Sequence, residues 1–70
     1  MIDGTKVRNL RGPRSQRSVA IAAGLTEATL SRIERGRLRN PSLSTVEALA
    51  RALGHGAADL LADDTDEAAQ

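Results

Sequence analysis

Seventy residues, 27% of them charged, with no cysteine and no aromatic side chain, describe one small domain that buries about 60% of its unfolded surface in a single core. Without cysteine there are no disulfide staples and no thiolate metal sites; no apolar run approaches the ~20 residues of a membrane span and no signal peptide is legible, so a cytoplasmic protein is expected. The net charge of +1 conceals a division: residues 1–53 carry all ten basic side chains and four acids, +6, whereas residues 54–70 carry five acids and no lysine or arginine, −5. That is the pattern of a basic working surface beside an acidic tail.

In chain order, the apolar residues recur at spacings of three and four and never alternate over a useful length, which predicts five short helices and no strand. Val7 and Leu10 mark a brief first helix that must end before Gly12-Pro13. Ser15 is the N-cap of a second, with Val19, Ala20 and Ala23 inward and Gly24 as a left-handed exit. Thr26 caps a third helix from Glu27 to about Arg35, with Leu30 and Ile33 inward and Gly36 as its stop. The loop from Arg37 to Pro41 leads to a fourth helix with Val46, Leu49, Ala50 and Leu53 on its core face. Its N-cap is either Ser42 or Ser44, the latter forming a capping box with Glu47. Gly54 closes it, and residues 57–62 give a last turn or two carrying Leu60 and Leu61. Residues 1–62 thus make one all-α domain. Residues 63–70, "DDTDEAAQ", hold too little apolar surface to offset ordering and are expected to be a flexible acidic tail.

The partner class follows from composition. Nine of the ten basic residues are arginine, whose planar fork suits phosphate and guanine better than an ammonium does. Single-strand binders and common RNA modules stack bases on aromatic rings, and this chain has none. Duplex DNA read by a helix needs no such platform.

Two short helices joined through "AGLT", the second amphipathic and flanked by arginine, describe a helix-turn-helix. Residues 15–54 carry Ser15-Gln16, Val19-Ala20, Ala23-Gly24-Leu25, Ser31-Arg32-Ile33-Glu34-Arg35-Gly36, Asn40-Pro41-Ser42-Leu43 and Ala52-Leu53-Gly54 in register. In this the chain resembles the Cro/Xre, lambda-repressor-like helix-turn-helix family. The resemblance implies a compact five-helix domain that binds operator DNA, usually as a dimer, with the third helix in the major groove. The linker "GPR" between Leu10-Arg11 and Ser15 is about two residues shorter than usual in that family, so the first helix is expected to be truncated.

Residue roles follow from the wheel and from the resemblance. At about 100° per residue, Ala28, Arg32 and Arg35 lie opposite the Leu30/Ile33 face. Ala28 permits close approach and contact with a thymine methyl, and Arg32 can fork onto guanine O6 and N7. Glu27 either accepts from cytosine N4 or complements the helix dipole; Thr29 and Ser31 can reach a base or a phosphate. Phosphate contacts are expected from Gln16, placed there by the resemblance, from Arg35, Arg37 and Arg39 after the third helix, and from Arg17 and Thr26, the last also a cap. Glu34 lies only about 40° from Leu30 and needs a cationic partner; the resemblance supplies Arg11, in a structural ion pair.

No catalytic residue, metal ligand or cofactor site is expected. His55 stands between two glycines without an acid-base companion, and Asp63, Asp64, Asp66 and Glu67 lack the spacing and glycine of a calcium loop. The expected function is a sequence-specific regulator, a repressor on a near-palindromic operator, dimerising through the fifth helix and nearby apolar residues. The other reading is an antitoxin-like or adaptor module that uses Ile21, Leu38 and Leu60-Leu61 to hold another protein.

Overall fold

The computed structural model describes residues 1–62. Four α-helices are followed by one 3-10 turn: α1 is Gly4–Arg11, α2 Gln16–Ala23, α3 Glu27–Glu34 and α4 Leu43–Leu53, and the 3-10 turn is Ala57–Leu60. No strand occurs among the described residues. The acidic segment expected to be a tail, residues 63–70, lies outside them.

Each α-helix starts on a side-chain oxygen that takes up an N–H the helix cannot pair internally. Ser15, Thr26 and Ser42 accept from the backbone N–H three residues on. The fourth helix therefore begins at Ser42, and Ser44 only shares a hydroxyl contact of 3.1 Å with it. The cap of α1 is Asp3, whose Oδ1 accepts from the N–H groups of Thr5 at 2.9 Å and Lys6 at 3.3 Å. Around these caps the residues before the cap and four into the helix are apolar in two cases, Ile2 with Val7 and Leu25 with Leu30. Such pairs fix the angle at which chain enters helix, and three of the four are buried.

The inward stripes meet in one core of Ile2, Val7, Val19, Ala20, Ala23, Leu30, Ile33, Val46, Leu49, Ala50, Leu53 and Leu60. Helix α2 packs on both α3 and α4, while α1 packs on α3 and on the 3-10 turn. The short first helix is thus seated in the core through Val7.

The fifth element is a single 3-10 turn, shorter than expected. Leu61 is extended, and its segment pairs antiparallel with the N-terminal residues through one bridge to Ile2. Asp3 N–H donates to Leu60 O, Ala62 N–H to Met1 O and Ile2 N–H to Arg39 O, each at 2.8 Å. The Lys6 ammonium donates to Leu61 O at 2.8 Å. The backbone of this clasp spends its polar groups on distant chain instead of on a longer helix. Leu60 is consequently fully buried in its own core, which removes it from the surface expected to join two copies or to hold a partner.

Candidate nucleic-acid interface

Helix α3 is held at both ends. At its start Thr26 Oγ1 accepts from Thr29 N–H at 3.1 Å and donates to Thr29 Oγ1 at 2.8 Å. Thr26 Oγ1 is thus engaged as the cap of the helix start, in a pair with the Thr29 hydroxyl. At its end Arg35 is the C-cap and Gly36 takes φ +78°. That left-handed turn is open to glycine at little cost, and it lets Arg37 N–H reach back to Arg32 O at 2.9 Å.

Between these ends the helix divides by face. Leu30 and Ile33 are fully buried, while Glu27, Ala28, Arg32 and Arg35 are exposed and Thr29 and Ser31 lie half-buried at the edges. The exposed strip has a small residue in its first turn and two guanidinium groups toward its end. A major groove can admit a helix that closely.

The arginines sort by what they already hold. Among the described residues, the arginine side chains that donate hydrogen bonds within the chain are Arg11, Arg14 and Arg39. Arg14 donates to Ala52 O at 3.2 Å and, at 3.4 Å, to Arg11 O and Leu10 O; it ties the end of α1 to the end of α4. Arg39 donates to Gly36 O at 3.2 Å. Arg17, Arg32, Arg35 and Arg37 are exposed and donate to no acceptor among the described residues.

Arg11 and Glu34 form a side-on fork. Nε donates to Glu34 Oε2 at 2.7 Å and Nη2 to Oε1 at 3.0 Å. Gln16 Nε2 donates to the same Oε1 at 3.0 Å, and Arg11 Nη1 to Arg14 O at 2.6 Å. One carboxylate therefore fastens the end of α1, the start of α2 and the end of α3. Its side chain is only 4% exposed. Burial pushes the Glu34 carboxyl up, but hydrogen bonds from Arg11 and Gln16 and the charges of Arg11 and Arg8 outweigh it and hold it below the usual carboxylate range. The Arg11 guanidinium is held above its ordinary value, chiefly by its hydrogen bonds to Glu34 and against its own partial burial. Gln16 spends one amide hydrogen on this brace and keeps the other.

A helix-turn-helix model matches residues 4–63. The chain belongs to the helix-turn-helix domain family. Within it α2 and α3 are the paired helices, with Gly24-Leu25-Thr26 as their turn. The restriction-modification controller protein C.AhdI from Aeromonas hydrophila is 35% identical, over 83% of this chain and 89% of that one, with a TM-score of 0.76. The clp gene regulator ClgR from Corynebacterium glutamicum is 31% identical, over 80% of this chain and 61% of that one, with a TM-score of 0.72. The DNA-binding domain of the P22 C2 repressor, 23% identical over 91% of this chain and 86% of that one, has a TM-score of 0.78 and shows the same fold. No curated protein sequence matches the chain significantly. The helix-turn-helix regulators found are of the Cro/Xre, lambda-repressor-like kind that the residue markers implied.

Two basic residues of this helix-turn-helix have roles that the sequence expectations miss: Arg14, by sequence a weaker phosphate candidate beside Arg17, is spent on backbone carbonyls, and Arg8 has no expected role. Arg14 acts on backbone carbonyls across 38 residues of chain, a contact without local signature. Arg8, one turn before Arg11, shares with it the cleft beside Gln16 and Arg35; its i, i+3 spacing to Arg11 was the available signal. Among the described residues no helix is long and apolar enough to cross a membrane, and no cluster of His, Asp and Glu is placed to hold a metal ion.

Proposed function

We propose that the chain is a sequence-specific, double-stranded-DNA-binding transcriptional repressor that acts as a homodimer on a near-palindromic operator, with α3 in the major groove. The observation that carries this reading is the outer strip of α3. It presents Glu27, Ala28, Arg32 and Arg35 away from the core, and neither guanidinium is used inside the described chain. Arg32 is the guanine reader, Ala28 the point of closest approach, and Glu27, Thr29 and Ser31 complete the base contacts. Arg17, Arg35, Arg37, Arg39 and the free amide hydrogen of Gln16 hold phosphates, which fix register without reading sequence. Repression by occupying a site that polymerase needs is the simplest mechanism for so small a unit.

Two copies would meet through apolar residues that the single core leaves outside. With Leu60 internal, these are Met1, Leu43 and Leu61, exposed around one cleft of about 170 Å³. Of the residues on which the adaptor reading would rest, Ile21 on α2 is 69% exposed and Leu61 is also exposed, whereas Leu38 packs against the core and Leu60 is internal.

Selection of bound sequences from random duplex DNA tests the proposal. The expected product is a motif with two-fold symmetry and half-sites about 34 Å apart. Arg32→Ala should then reduce discrimination at one base pair of each half-site by about 1 to 3 kcal/mol. Arg37→Ala should weaken all sequences alike and flatten the salt dependence by about one. Recovery of no motif, together with a tightly co-purifying protein, would replace the repressor with the adaptor.

A further inference from the structure

Beside α3, at the Arg35 end of its outer strip, a cleft of about 240 Å³ is lined by Arg8, Arg11, Gln16, Glu34 and Arg35. Three guanidinium groups and one carboxylate leave it a formal charge of +2. The carboxylate is not available to repel an incoming anion at full strength, because both its oxygens already accept from Arg11 and one also accepts from Gln16. Arg8 and Arg35 are exposed, come from different helix ends, and donate to nothing within the described chain. Gln16 has one amide hydrogen unspent. Its backbone N–H lies in the first turn of an eight-residue helix, where helical N–H groups lack internal acceptors.

We infer that this cleft is a seat for one backbone phosphodiester of duplex DNA, with Arg8 of α1 as a phosphate ligand alongside Arg35 and Gln16. This rests on the DNA-binding reading and adds to it a residue and a fixed geometry. A phosphodiester has two unesterified oxygens, which matches two free arginine donors from two different helices with a free amide hydrogen beside them. The floor of the seat is the same brace that sets the ends of α1, α2 and α3. A phosphate held there is tied to α3 through Arg35 and to α1 through Arg8, two helices whose ends the brace already fastens together. Arg8 thereby turns the first helix from a core element into part of the clamp.

The test uses the full 70-residue chain and a fluorescent duplex of random sequence, with binding followed by anisotropy between about 50 and 200 mM salt. Arg8→Gln should lower the slope of log K against log salt by about 0.9, so the wild type loses about 3-fold more affinity over that range than the variant. Arg51→Gln, an equal loss of charge at an exposed position of α4, should leave the slope unchanged, and Arg8→Gln should keep the wild-type helical circular dichroism at the binding temperature. Because one phosphate is held by both arginines, Arg8→Gln combined with Arg35→Gln should fall short of the sum of the single effects. A wild-type slope in Arg8→Gln, or an equal drop in Arg51→Gln, overturns the seat while leaving DNA binding intact. Strictly additive slopes would assign the two arginines to separate phosphates and overturn the shared site. A wild-type chain whose binding ignores salt would overturn the DNA reading itself, and the seat with it.

Discussion

Arg11→Ala should destabilise the domain by about 3 to 5 kcal/mol, the cost of stranding one member of a buried ion pair. In a chain this small each kilocalorie moves Tm by about 4 to 8 °C, so a fall of more than about 10 °C is expected in a thermal melt. The magnitude rests on Glu34, whose side chain is 4% exposed against 17% for Arg11. Removing the arginine leaves a desolvated carboxylate with one amide donor. The reciprocal change, Glu34→Gln, should cost less, because the amide still accepts from Arg11 and the guanidinium left behind can reach water.

The same pair predicts a pH dependence of definite sign. The folded-state pKa of Glu34 is lowered, so its contribution is complete above the unfolded carboxylate value of about 4.3 and is lost as pH falls through the folded value below it. In Arg11→Ala the strongest lowering contact is gone while burial still pushes the carboxyl up. The difference in stability between wild type and variant should therefore shrink as pH falls toward 4 and below. A difference that held constant across that range would mean that Arg11 contributes through packing of its stem and not through its charge.

How far the sequence exposes this arrangement depends on how local each feature is. The caps Ser15 and Thr26 and the inward stripes Val19-Ala20-Ala23, Leu30-Ile33 and Val46-Leu49-Ala50-Leu53 are legible because each is a relation between residues within a turn or two. The outer strip of α3 follows from the same wheel. Asp3 was harder to recognise as a cap, since Asp3-Gly4 also reads as a turn and the helix it opens is only eight residues long. The Ile2/Val7 pair around it was the signal that could have decided. The pairing of Ile2 with Leu61 has no such signal. It joins the two ends of the described chain, and its reward is a closed backbone ledger at Leu60 and Met1 that no local pattern encodes. Arg14 is of the same kind: among so many arginines, nothing nearby distinguishes one that reaches a carbonyl 38 residues away from those that donate to nothing within the described chain.

The contact that seats α1 on α3 yields the second large effect. Gly4 is buried at the first position of α1, and a β-carbon there would overlap the carbonyl oxygen of Ile33 and lie 2.8 Å from that of Glu34. Both are backbone atoms in the last turn of α3, so no side-chain rotation relieves the overlap. In an isolated helix, exchanging glycine for alanine would gain up to about 1 kcal/mol. Here Gly4→Ala should instead lose stability, at or above the top of the 1 to about 3 kcal/mol typical of overpacking, because α1 must move away as a body. That displacement would stretch the 2.7 Å Arg11–Glu34 contact and the 2.8 Å bond from Asp3 N–H to Leu60 O. The loss from Gly4→Ala and the loss from Arg11→Ala should consequently overlap: urea titration of the double variant should show less than their sum. Full additivity, or a Gly4→Ala chain as stable as the wild type, would mean that α1 reaches α3 through Arg11 alone and that the close approach of the two backbones contributes nothing to holding the reading helix in place.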